Sequence, residues 1–143
     1  MLKGIPPILS PELLSVLRSM GHGDELVLAD GNFPAASHAA RLVRADGHSV
    51  PELLEAILSL LPLDDYVDKP AAVMAVVPGD PVVPAIWEQY RKILNRHESR
   101  EAGMDCLDRQ AFYERARSAY AVVATGESAQ YANLILVKGV VRP

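Results

Sequence analysis

The chain has 143 residues, half of them hydrophobic and 22% charged, the composition of one globular domain spanning 1–143 rather than of a disordered segment. A formal net charge of −4 without any lysine or arginine run removes the basic footprint of a nucleic-acid binder, so no nucleic-acid partner is expected. A single cysteine, Cys106, excludes an intrachain disulfide and every paired-cysteine zinc or redox motif.

The N-terminus, "MLKGIPPILSPELL", has one lysine and prolines inside its apolar part. It lacks the charged head, long apolar run and small-residue cleavage site of a signal peptide, and no apolar run reaches the length of a membrane span. A cytoplasmic location without a membrane partner is expected. The apolar fraction is high for so short a chain, which predicts that a second copy covers part of the surface.

The first expected element is a helix over "SPELLSVLRSMG". Ser10 suits the cap, Pro11 the first helical position and Glu12 the positive end of the helix dipole. Leu13, Leu14, Leu17 and Met20 share one face, and Gly21 is a natural stop. "ELVLAD" then reads as a short buried strand, "GNFPAASHAA" as a loop with at most one helical turn, and "RLVRADG" as a second strand ending in a turn. "SVPELLEAILSLLPLD" repeats the helix logic with a capping-box spacing of Ser49 and Glu52, an apolar face running to Leu61, and Pro62 as terminator. "AAVMAVVPGD" is a strand bounded by proline and glycine. "VPAIWEQYRKILNRHES" and "DRQAFYERARSA", the latter starting near Asp108, are helices. "YAVVATGE" and "NLILVKGVV" are β-branched strand runs whose connection is too long for a tight hairpin turn. Helices alternating with short, nearly all-apolar strands predict a three-layer α/β domain, the sheet covered by helices on both faces.

Four residue groups could carry chemistry. His22 lies between two glycines at a helix end, "MGHGDE". An imidazole there can give and take a proton near neutral pH, or can simply hydrogen-bond a carbonyl of the turn. His38, His48 and His97 read as surface or capping residues, and no histidine pair has the spacing of a helical metal site. Asp30 ends a strand, where open α/β sheets place ligands; an Asx-turn is its plain alternative. Arg109 opens a helix, against the dipole, so it is held for a contact elsewhere or for an ion pair with Asp105 or Asp108. Tyr131 and Asn133 precede the last strand two residues apart, on one side if extended, and offer stacking area with neutral donors and acceptors suited to a polyhydroxylated ligand.

Taken together, "SPELLSVLRSMGHGDELVLADGNFP", "RADG" and "AFYERARSAYAVVATGESAQYANLILVKGVV" closely resemble the fucose mutarotase and ribose pyranase family of small sugar-anomer isomerases, nearer to its fucose branch. The resemblance implies an α/β fold working without metal or cofactor. It also implies homo-oligomeric rings, often decamers, with sites at subunit contacts. The implied substrate is a monosaccharide, L-fucose first, with D-ribose or a related aldose as the alternative. A non-catalytic sugar-binding module on the same fold stays open. By resemblance His22 is the acid/base residue, Asp30 and Arg109 hold sugar hydroxyls, and Tyr131, Ala132 and Asn133 line the site, in the same or a neighbouring subunit. Ala132 departs from the glycine usual in the fucose branch, and its methyl tightens the pocket if that backbone approaches the sugar. Asn32 stands where some relatives carry histidine. Ring opening involves no redox change, in keeping with a sequence that has no Gly-rich dinucleotide fingerprint.

Overall fold

The computed structural model describes residues 1–143. In chain order the elements are α1 (Pro11–Ser19), β1 (Glu25–Ala29), α2 (Ala35–His38), β2 (Leu42–Ala45), α3 (Val50–Leu58), β3 (Ala71–Met74), α4 (Ile86–His97), β4 (Met104–Leu107), α5 (Arg109–Ser118), β5 (Ala121–Thr125) and β6 (Leu134–Val137). The caps follow the expected chemistry. The Ser10 hydroxyl accepts from the Leu13 N–H, both halves of the Ser49–Glu52 capping box form, and the Asp108 carboxylate accepts from Ala111 at 2.8 Å. α3 stops at Leu58, earlier than Pro62 requires, yet Leu61 is still buried. The strand read over "AAVMAVVPGD" is confined to its first four residues. β4 was not expected.

The six strands form one sheet in the order β2-β5-β1-β6-β3-β4. Five run the same way, and β6 alone runs antiparallel to its neighbours β1 and β3. Side chains alternate across the sheet. Leu26, Leu28, Val73, Val123, Leu134 and Leu136 join the larger core beneath α1, α3 and α4. Val27, Ala29, Ala72, Met74, Val122 and Ile135 join the smaller core beneath α2 and α5, with Phe112 and Ala116. The expected three layers are therefore present, and strands covered on both faces read as continuous apolar runs for that reason. Within α3, Leu53, Leu54 and Ile57 are fully buried, each worth about 1.5–3 kcal/mol in apolar burial. No helix is long and apolar enough to cross a membrane.

Candidate active site

The C-terminal ends of β1 and β3 open on one edge of the sheet, where ligands of open α/β sheets collect. β1 delivers Asp30, β3 delivers Met74, and β4 leads through Asp108 to Arg109 at the head of α5. β6, being reversed, begins at this edge, directly after Tyr131–Asn133. A cavity of about 250 Å³ results, and Asp30, Arg109, Tyr131 and Asn133 all stand in its wall. This places Tyr131 and Asn133 in the same chain's cavity as Asp30 and Arg109.

Asp30 and Asn133 are nearly buried and tied together. The Asp30 N–H donates to Asn133 Oδ1 at 2.7 Å, while Asp30 Oδ1 accepts from the Asn32 N–H at 3.0 Å. Asp30 thus makes its Asx-turn and faces the cavity as well. Burial pushes its carboxyl above the ordinary 3.8, partly offset by neighbouring backbone N–H groups, that of Asn32 foremost. Arg109 makes neither of the ion pairs considered for it: Asp108 caps α5, and Asp105 accepts from the Cys106 N–H. Its guanidinium instead lies 5.4 Å from the Tyr113 ring centroid, a cation–π contact that leaves its donors for a ligand.

Ala132 does not line the cavity. It is fully buried in the larger core, and its carbonyl accepts the Tyr90 phenol at 2.6 Å. Its methyl therefore fills the core and does not tighten the pocket. Tyr131 and Asn133 face the cavity while the residue between them faces the core, although Tyr131 itself is left-handed, with a φ of 56°.

His22 lies at the other end of β1. Gly23, at φ 86°, turns the chain after it as only glycine does readily, and the Gly23 N–H donates to the Lys138 carbonyl at 2.8 Å. The His22 partner is a carboxylate, not a turn carbonyl: Nε2 is 3.1 Å from Oδ1 of buried Asp64. An ionised carboxylate only accepts, so the pairing assigns a proton to Nε2 and leaves Nδ1 unpaired. The ring, 44% exposed, packs against Tyr66 at 5.2 Å. Asp64 is fixed by its own N–H to the Val137 carbonyl at 2.9 Å, and the Gly139 N–H to the Pro62 carbonyl at 2.8 Å holds the same crossing. The chains cross there so closely that a Cβ on Gly139 would sit 2.3 Å from the Leu63 carbonyl oxygen. β1 alone separates His22 from Asp30 by about 17 Å, so one chain does not bring the two together.

The profile of the RbsD / FucU transport protein family matches residues 3–141. The chain belongs to the RbsD / FucU family. It is 54% identical over 151 residues to the fucose mutarotase of Bos taurus, covering 99% of this chain and 95% of that one. It is 51% identical over 140 residues to the L-fucose mutarotase of Actinobacillus pleuropneumoniae, covering 98% and 97%. It superposes on the crystal structure of the fucose mutarotase from Streptococcus pneumoniae in complex with L-fucose with a TM-score of 0.94 at 53% identity, over 99% of this chain and all of that one.

Sequence reasoning missed several residues around the cavity and beside His22. Phe33, Met74, Tyr113 and Asp80 also wall the cavity, and Asp64 partners His22. Phe33 and Tyr113 meet edge-on at 5.4 Å and give the cavity wall an aromatic part beside its polar residues. Only Tyr113 had a usable local signal, one helical turn after Arg109. No cluster of three or more His, Cys, Asp or Glu side chains could hold a metal ion.

Proposed function

We propose that this chain is a mutarotase that interconverts the α and β anomers of L-fucose. The observation that carries it is end-to-end similarity, at 53% identity, to a fucose mutarotase crystallised with L-fucose, in a chain that keeps a small cavity of mixed polar and apolar character. Asp30 and Asn133 are suited to hold sugar hydroxyls, Arg109 to donate to them, and Phe33, Met74 and Tyr113 to take the apolar face of a 6-deoxy sugar.

Anomer exchange needs one proton removed from the anomeric hydroxyl and one delivered to the ring oxygen as the bond from C1 to that oxygen breaks. The aldehyde rotates about C1–C2 and closes on its other face. Sugars do this unaided, so an acid/base group contributing about 10²–10⁴-fold suffices. His22, with Asp64 holding Nε2 and Nδ1 left unpaired, is suited to carry that proton. Its distance from Asp30 supports a site completed by two copies, the His22–Asp64 pair of one closing the cavity of the next. A closed homo-oligomer, a decamer by resemblance, is the assembly proposed, in the cytoplasm.

Saturation-transfer NMR on L-fucose and D-ribose side by side is the test. Faster exchange of L-fucose anomers than of D-ribose ring forms is expected. Preference for D-ribose would move the chain to the pyranase reading, and saturable binding without accelerated exchange would make it a non-catalytic sugar-binding module.

A further inference from the structure

The segment between β3 and α4, residues 75–85, supplies part of the cavity wall. Its start is tied to β4 by the Ala75 N–H, which donates to the Leu107 carbonyl at 2.7 Å. Residues 77–80 then turn tightly: the Asp80 N–H donates to the Val77 carbonyl at 3.0 Å, and Gly79 has a φ of 90°. Val77 and Asp80 both stand in the cavity wall. Little apolar contact holds this turn down, since Val77 and Val83 are exposed.

What holds it is Tyr131. The phenol donates to Asp80 Oδ2 at 2.6 Å and accepts from the Val77 N–H at 3.3 Å. Asp80 Oδ1 is occupied too, accepting from the Val82 N–H at 3.0 Å. From the other side, the Trp87 indole donates to the Tyr131 carbonyl at 2.8 Å. Tyr131 is therefore gripped at its backbone by α4 and at its hydroxyl by the turn, in a left-handed conformation that tyrosine seldom adopts. The bond to Asp80 also holds the phenol above the usual phenol range and the carboxyl below the usual carboxylate range, so the proton stays on Tyr131. With its proton donated and an acceptor position filled, the hydroxyl is committed to the protein.

We propose that Asp80 is a positioning residue of the sugar site proposed above, clasping the turn at residues 77–80 in the cavity wall through the Tyr131 hydroxyl. Tyr131 then meets the sugar with its ring and backbone, and the clasp governs how tightly sugar is held, not the proton transfer.

The test compares Asp80→Ala, Asp80→Asn, Tyr131→Phe and the Asp80→Ala/Tyr131→Phe double variant in the assembled protein. L-fucose exchange is followed against sugar concentration, and hydrogen exchange over residues 75–83 is followed without sugar. Asp80→Ala and Tyr131→Phe should each raise KM about tenfold, the scale of one charge-assisted hydrogen bond, with the loss in KM rather than kcat. The double variant should lose far less than the product of the single losses, because both single variants break the same Tyr131–Asp80 bond. Asp80→Asn, whose amide oxygen still accepts, should stay within about threefold of wild type. Exchange over residues 75–83 should quicken in Asp80→Ala, Tyr131→Phe and the double variant alike, relative to wild type. Multiplying effects in the double variant, a kcat loss in Tyr131→Phe alone, or unchanged hydrogen exchange would each overturn the clasp. A wild type inactive on L-fucose would remove the mutarotase reading and this role with it, whereas an active wild type with unaffected variants removes the role of Asp80 alone.

Discussion

The two ends of β1 differ in nearly everything. At its C-terminal end Asp30 is 7% exposed, bonded to Asn133, and set in a walled cavity. At the other end His22 is exposed and leans on a single buried carboxylate. The first end has a walled cavity lined by a carboxylate but no imidazole; the second has an imidazole but no walled cavity. A strand about 17 Å long keeps them apart, so chemistry that needs both needs two chains. The proposed two-copy site rests on this separation: it would set the imidazole of one copy against the cavity of the next.

The sharpest way to break that division is to remove the imidazole. His22→Ala should cost about 10²–10⁴-fold in anomer exchange while L-fucose still binds, as followed by saturation-transfer NMR and calorimetric titration. Loss of binding together with exchange would put His22 in the wall of the pocket instead. Co-assembling His22→Ala with Asp30→Ala in equal amounts sharpens the point. If each site draws on two copies, about a quarter of the sites are intact and activity returns; if each site is built within one chain, none are intact and the mixture stays inactive.

At the other end, Asp30→Asn should lower kcat/KM by about 10–100-fold, the range for losing a charged hydrogen-bond acceptor, and should do so through KM. A pure kcat effect would instead make the carboxylate a proton carrier. Asp64→Asn comes next in size. Its amide oxygen can still accept from His22 Nε2, so only the charge is lost and about a tenfold fall in kcat is expected. Exchange rates at saturating sugar would expose an error: an unchanged rate leaves Asp64 with a purely structural task.

How far these halves were legible follows from where their determinants lie. Ser10, the Ser49–Glu52 box and Asp108 act on groups within three residues, so the helix starts could be read from the chain. Asp30 could be read because a strand end is a local pattern. Asp64 could not: it sits in "LPLDDY" with another acid beside it, and its pairing with a residue 42 positions away has no local period. Asp80 was hidden likewise, meeting Tyr131 across 51 positions. β4 was hidden because it is a four-residue edge strand paired only with β3 and has no fully buried residue, so neither an apolar run nor an alternation marks it. Ala132 was placed in the pocket by resemblance alone; the alternation that puts Tyr131 and Asn133 on one side already turns the residue between them away from it.

The smallest expected effect concerns stability. Burial raises the Asp30 carboxyl above the 3.8 of the unfolded chain, so between the two values the folded state binds more protons than the unfolded one. Stability then falls as pH rises through the folded value and is level above it. Asp30→Asn keeps an oxygen for the Asn32 N–H but removes the titration. Relative to wild type the variant should therefore gain nothing below about pH 3.8, gain steadily above it, and hold a constant advantage at neutral pH. Urea midpoints at several pH values, at one protein concentration because assembly contributes to stability, would show this. A difference that is flat with pH, or that favours wild type at neutral pH, would mean that the backbone donors around Asp30 outweigh its burial, and that the pocket end of β1 carries no cost for keeping a carboxylate ready for sugar.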